Sequence, residues 1–288
     1  MESAISACHR SSSFRQRLAT WWVILRVALE ERLVYRGDFA LGTLMRFLPI
    51  ITQIFLWRAV FDAVQTSGRA DVAGYRFEDV VAYYLLTMVA RAFSSMPGLA
   101  SGIAASIRNG EVKKFIIQPV DMLGFLLLSR IAHKLAYYSV AVGPFALVFF
   151  LCRGFFLDGW PSWPVLAVFC ASLVLGFFLG YFIEACIGLI GFWFLEVSSL
   201  LFVYMLLNFF LSGHMFPLDM LPGAARQWVD WLPFKYLAYF PAAVFLNKLA
   251  FPQMLRGLAI EVAWLVAFVL LSRLAWNRGL RRYSAFGG

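Results

Sequence analysis

The side chains most able to hold a metal or act as nucleophiles are three histidines, His9, His133 and His214, and four cysteines, Cys8, Cys152, Cys170 and Cys186. Their spacing supports neither role. There is no CxxC pair and no Cys/His cluster, so neither a zinc site nor a disulfide framework is expected. No Ser/His/Asp set or paired-carboxylate grouping stands out, and no GxxxxGK[ST] phosphate loop occurs. The sequence therefore predicts a non-catalytic chain with no metal or cofactor of its own. What remains is a small set of charges in apolar surroundings: Arg46, Arg91, Arg130, Lys134, Glu184 and Glu196. Such groups are costly in lipid and face protein or water. Arg46, Arg130 and Lys134 sit where snorkelling to an interface would satisfy them. Arg91 lies midway along an apolar run, so it either pairs with a carboxylate, Glu184 or Glu196, or lines a cavity for an anionic substrate.

These charges need elements to position them, and composition says of what kind. The 288 residues are 62% hydrophobic and 14% charged, with a mean hydropathy of +0.76. Soluble domains are roughly 45–50% apolar and about 25% charged. An excess of this size excludes a soluble enzyme or a nucleic-acid-binding module. The +9 net charge reads instead as a topology signal, and the 51 aromatic residues suit a greasy or amphiphilic cargo as well as lipid-facing packing. The chain reads as one polytopic, all-helical membrane domain in contact with the bilayer.

No removable signal peptide is read in residues 1–20. From Phe14 to Tyr35, Leu18, Trp21, Leu25 and Leu29 recur at helical spacing against Arg15, Arg26 and Glu30, which predicts either a helix lying in the interface or a soluble lead-in helix. Six segments then approach the ~20 apolar residues a crossing needs: 41–61, 80–99 (ending at Pro97-Gly98), 123–151, two within 163–211, and 255–276. The run 163–211 would reach about 74 Å as one helix, so it must fold back, near Gly188 and Gly191. With both termini inside, sixteen Lys and Arg fall on the cytoplasmic side and eight outside, the bias the positive-inside rule asks for. The fold-back itself carries no basic residue. Asp62, Asp71, Glu78 and Asp79 around the first outer loop read as solvated.

Two connections depart from simple turns. The cytoplasmic one, Ile107–Asp121, has a turn signal at Asn109-Gly110 and a boundary at Gln118-Pro119; between them Glu111–Ile117 fit a short amphipathic helix or a solvated loop. The outer one, Ser212–Gln253, is aromatic and carries Pro217, Pro222, Pro233, Pro241 and Pro252, which exclude full crossings. Short helices dipping into the outer leaflet, or an interfacial aromatic belt, both fit.

With these features in this order, the sequence resembles the membrane subunits of type-2 ABC transporters, six-span permeases typical of bacterial exporters. The likeness rests on the N-terminal helix, the six-span layout, Tyr35-Arg36-Gly37-Asp38 at the first span, the Gly110–Pro119 element, and Ser212-Gly213, Phe216-Pro217, Leu221-Pro222 and Leu232-Pro233. It implies residues 1–36 as a cytoplasmic tail and interfacial helix, 37–276 as a six-span domain and 277–288 as a cytoplasmic tail, in the inner (plasma) membrane. It implies a coupling helix at about 107–119, where Arg108, Asn109, Gly110, Glu111, Lys113, Lys114 and Phe115 dock on an ATPase subunit. It implies re-entrant extracellular helices at about 212–252, gated by Ser212, Gly213, Phe216, Pro217, Leu221, Pro222 and Pro233. Two ATPases holding ATP and magnesium, and a second copy or a paralogous permease, would complete the assembly, with the path lined by spans one, two and five. A proton- or ion-coupled carrier using Arg91, Glu184 or Glu196, and a membrane-embedded enzyme, are the competing readings.

Overall fold

The computed structural model describes residues 14–33, 36–66, 71–117, 120–157, 159–194 and 196–283. Tyr35, Gln118 and Pro119, singled out above, and the two extreme tails lie outside them. The described residues are helical apart from turns and one isolated bridge between Val72 and Tyr75. The helices are α1 (Phe14–Leu33), α2 (Arg36–Thr66), α3 (Phe77–Ser94), α4 (Leu99–Arg108), α5 (Lys113–Ile117), α6 (Met122–Leu151), α7 (Trp163–Leu189), α8 (Ser198–Leu211), α9 (Gly223–Asp230), α10 (Tyr239–Phe245) and α11 (Phe251–Arg282).

Among the described residues, four stretches are long and apolar enough to cross a membrane: Phe47–Thr66 of α2, α6, Trp163–Phe192 and α11. The other two expected crossings differ in kind. The second is split into α3 and α4 around Ser95–Gly98. The fifth, α8, has 14 residues, about 21 Å of helix against a hydrocarbon core of about 30 Å.

The centre of the bundle is α7, which packs against α3, α4, α10 and α11. Its glycines explain how. A Cβ at Gly180 would lie 2.2 Å from the Ser94 carbonyl oxygen, and one at Gly188 would lie 2.7 Å from that of Ala100. Backbones therefore meet without intervening side chains, as small residues allow between helices in lipid. The break expected near Gly188 and Gly191 falls there: α7 ends at Leu189, and the chain leaves the helix from Ile190 before α8 begins at Ser198; the same two glycines also lie against Ala100 and Ala104 of α4. The helix α1 lies along α6, with the Trp21 ring over Gly124. Arg26 and Glu30 pair at 2.9 Å on its exposed side.

Between α8 and α11 the aromatic segment folds into turns at Leu218–Met220 and Pro233–Leu237 and the helices α9 and α10. Pro222 precedes α9, Pro233 opens a turn and Pro252 stands in the first turn of α11, where a missing N–H costs nothing. Every residue of α10 is buried, within a core that includes Phe169, Leu173 and Ile183 of α7.

Candidate functional site

Pro97 has no N–H, and Gly98 is left-handed at φ +72°, so α3 stops and α4 starts anew. A helix end buried in an apolar bundle exposes carbonyls on one side and N–H groups on the other, and both must be satisfied by protein. Here they are. The Ala92 carbonyl accepts from the Lys134 ammonium and, at 3.0 Å, from the Tyr138 hydroxyl. The Pro97 carbonyl accepts from Arg130 Nη1 at 2.9 Å. The Glu184 carboxylate lies beside the backbone N–H groups of Met96 and Ala100, whose electrostatic influence favours its charged form. Lys134 thus faces the negative end of α3 and Glu184 the positive end of α4, the favourable sense for the helix dipole, while Arg130 meets a carbonyl of the break itself. Lys134 is 8% exposed, because a broken helix offers its charge a buried partner, whereas Arg130 is half-buried. The side chain of Arg46 lies outside the described residues.

Beside the break lies a cavity of about 830 Å³, within the size range of small-molecule sites. Pro49, Ile50 and Gln53 of α2 form one wall, and Tyr84, Thr87, Met88 and Arg91 of α3 a second. Leu201, Tyr204, Met205, Asn208 and Phe209 of α8 form the third, with Phe145, Glu184, His214 and Met215 completing the lining. Arg91 and Glu184 therefore meet on one cavity. Glu196, the other expected cavity charge, does not line it. It is exposed in the turn before α8, accepts from the Ser198 side chain and, at 2.9 Å, from the Ser198 backbone N–H, and lies 3.7 Å from Arg108. Those Ser198 bonds hold its pKa below the usual carboxylate value. The cation missing from the fold-back is thus supplied by the end of α4.

At the aromatic end the segment after α8 is pinned to α3. The hydroxyls of Tyr83 and Tyr84 donate to the carbonyls of Gly213 and Met215. Gly213 has φ +80°, and a Cβ there would lie 2.6 Å from Tyr239 Cβ and 2.7 Å from the Tyr83 hydroxyl, so both conformation and space require glycine. Ser212 and Pro217 are buried, Phe216 and Leu221 half-buried, Pro222 exposed and Pro233 buried. Asp219 collects the Tyr75 hydroxyl at 2.7 Å, the Tyr239 hydroxyl at 2.8 Å and Arg226 at 2.7 Å. Burial raises the Tyr75 pKa above its ordinary value, which keeps it a donor. Asp79 is a correction to the solvated reading of the first loop: it is buried, bonded to Arg76 at 3.0 Å and to Lys248 at 2.9 Å.

At the opposite, basic end, Asn109 and Gly110 turn the chain, with Gly110 at φ +78°. Arg108 and Asn109 are exposed, and Glu111 lies 3.6 Å from Lys114. Val112 is fully buried, and the Phe115 ring packs 5.6 Å from that of Phe125. Helix α5 begins at Lys113, two residues later than the amphipathic stretch suggested, and presents Ile116 (54% exposed) and Ile117 (83%) outward. Sequence reasoning missed two groups: Asn208 on the cavity wall, and Glu261 of α11, which is 0% exposed beside α7. A lone carboxylate inside the last apolar run was the available signal for the second.

No individual curated protein matches the sequence. Residues 47–287 match the family described as ABC-2 family transporter protein, a span that takes in every helix from most of α2 onward and so both the cavity and the α5 element. With its apolar crossings, the chain is an integral membrane protein that belongs to this family, and it is a permease of the ABC transporter type.

Proposed function

We propose that the chain is the membrane subunit of an ATP-driven exporter in the inner membrane, with both termini cytoplasmic. Two such subunits, or this one and a paralogue, pair across α2 and α8, and two ATPase subunits that bind ATP and magnesium drive them. The observation that carries the reading is the basic-end element. A five-residue helix leaves two isoleucines exposed after Glu111, Lys113 and Lys114, while Val112 and Phe115 root it in the bundle. An exposed apolar pair preceded by charged residues fits a groove on a soluble partner, and its root in α4 and α6 gives that partner something stiff to push.

Force applied there reaches α4 directly and, across the Ser95–Gly98 break, α3. Since α3 holds the aromatic segment through Tyr83 and Tyr84, a tilt of α4 would change the cavity and the outer closure together. On this reading the second crossing is six-span topology's interrupted member, and the segment 212–252 is the re-entrant outer gate. Helix α8 supports the pairing: Phe202, Val203, Met205 and Phe210 are exposed along it, and it leans only lightly on α4 and the 233–237 turn. The test is charge reversal of Lys113 and Lys114 to Glu in the assembled transporter. Export and transport-coupled ATP hydrolysis should fall about tenfold or more, as for desolvated charges at an interface, with the subunit still folded. Unchanged export would reject the proposal.

A further inference from the structure

We infer that Glu261, Ser172 and Tyr236 form a site for a small monovalent cation, sodium or potassium, between α7, α11 and the Pro233–Leu237 turn. The inference stands apart from the transport reading, since no residue of the cavity or of α5 enters it. Glu261 and Ser172 are 0% exposed and Tyr236 is 1% exposed. Both Glu261 carboxyl oxygens and the hydroxyls of Ser172 and Tyr236 lack a hydrogen-bond partner among the described residues. They lie near one another, for Glu261 and Ser172 interact, and the Tyr236 hydroxyl feels the Glu261 charge. Gly176, one turn after Ser172 on the same face of α7, supplies the room. A Cβ there would lie 3.3 Å from the Tyr236 carbonyl oxygen and 3.7 Å from Glu261 Oε1. The missing side chain thus leaves a small space bordered by two acceptors, which cannot bond each other.

Charge decides what fills it. An uncompensated carboxylate in apolar surroundings is very costly, and no cation among the described residues acts on Glu261. Lys235, beside the Tyr236 ring, is paired with Asp230 at 2.8 Å. A single positive charge balances the site; a divalent ion overcompensates it, and water leaves it charged. Carboxylate, hydroxyl and carbonyl oxygens are the ligands of hard cations, and no His or Cys is present to favour a transition metal. The turn is held in place, because the Leu237 carbonyl accepts from Ser94 at 2.8 Å. The Phe240 ring packs 5.3 Å from that of Tyr236 and lies over Gly257, one turn before Glu261. An ion bound here ties the aromatic segment to α7 and α11, and its loss frees that segment.

Thermal unfolding of the full chain in phosphatidylcholine nanodiscs, in sodium, potassium or choline chloride at equal ionic strength, tests this. Sodium or potassium should raise the melting temperature saturably, by about 3 °C at ten times the half-saturating concentration. Amide exchange over residues 233–240 should slow in parallel. A response to one ion or to both upholds the inference and names the occupant. Glu261→Gln, which keeps the size and removes the charge, should abolish the response. Gly176→Ala, whose Cβ fills the space at ordinary contact distances, should abolish it too, and Ser172→Ala should weaken it. These two carry the test if Glu261→Gln does not fold. In choline Glu261→Met should melt above the wild type, and sodium or potassium should close that gap. Equal melting in all three salts, or a response that survives in Glu261→Gln or Gly176→Ala, would overturn the inference. A larger shift with calcium would overturn it as well. So would a pH-dependent melt that Glu261→Gln removes and no salt affects, since a proton then occupies the site. No ATPase takes part in this assay, so its failure leaves the transport reading standing, and loss of ATPase coupling leaves this result intact.

Discussion

Two of the places where the bundle buries ionisable side chains do so on different terms. At the α3–α4 break, Lys134 faces the last turn of α3, Glu184 faces the start of α4 and Arg130 meets the Pro97 carbonyl between them, so each charge has a backbone group of opposite sign beside it. At the α7–α11 seam, Glu261 is wholly buried, and among the described residues neither carboxyl oxygen has a partner at hydrogen-bond distance; the nearby Ser172 and Tyr236 hydroxyls are likewise unpartnered there. The contrast shows that depth in the membrane does not by itself set the cost of a charge. A broken helix turns its own unpaired backbone into the counter-ion, and an unbroken helix cannot. The break is also the one place where the second crossing can flex, so the same residues that make the charges tolerable position the cavity.

Substitutions can break this contrast. The largest effect should come from Gly180→Val, which drives a side chain into the Ser94 carbonyl and forces α3 off α7. Overpacking of this kind costs about 3 kcal/mol and should abolish a cooperative melt in detergent. Next are two substitutions of the same chemistry with opposite signs. Glu184→Met should destabilise by about 2 kcal/mol, since it takes the carboxylate away from the N–H groups around the start of α4. Glu261→Met should stabilise by about 1 kcal/mol, since it removes a buried polar group that has no partner. Thermal unfolding of the purified chain checks both; equal signs would erase the distinction. The Tyr84→Phe change should cost about 1 kcal/mol, because Tyr84 both donates to Met215 and accepts from Trp57 at 2.8 Å. It should also loosen the aromatic segment, measurable as faster hydrogen exchange over residues 212–221.

The smallest effect concerns Glu196, fully exposed and held below the usual carboxylate pKa by Ser198. A depressed folded-state pKa contributes stability above the unfolded value, and that contribution is lost as pH falls through the folded one. The first turn of α8 should therefore fray below the ordinary carboxylate range and at high salt, where the pairing with Arg108 is screened. Exchange of the Ser198–Leu201 amides reports it.

Much of this was legible in the sequence, and what was not has a common cause. Periodicity and apolar length located α6 and α11 closely, and Pro97-Gly98 marked the end of α3. Arg91 and Glu184 stood out because they interrupt apolar runs. Partners distant in sequence were hidden: Lys248 lies 169 positions from Asp79, and Arg130 lies 33 from Pro97. No local pattern reveals that a lysine in one span finishes the helix in another. Gly188 and Gly191 marked the end of α7 along the chain, but nothing local revealed their second role, the close approach of the α4 backbone. Helix α8 was read as a full crossing because apolar composition alone does not reveal where the chain leaves the helix.

The central claim is that a separate ATPase grips the chain at α5. A single cysteine at Ile117, in an otherwise cysteine-free chain assembled with its ATPase, tests it most directly. The account predicts that a short bifunctional cross-linker joins Ile117→Cys to the ATPase subunit, with a yield that changes on adding ATP and magnesium. Labelling of that cysteine by a membrane-impermeant reagent from outside intact cells, with no adduct to the ATPase, would contradict it.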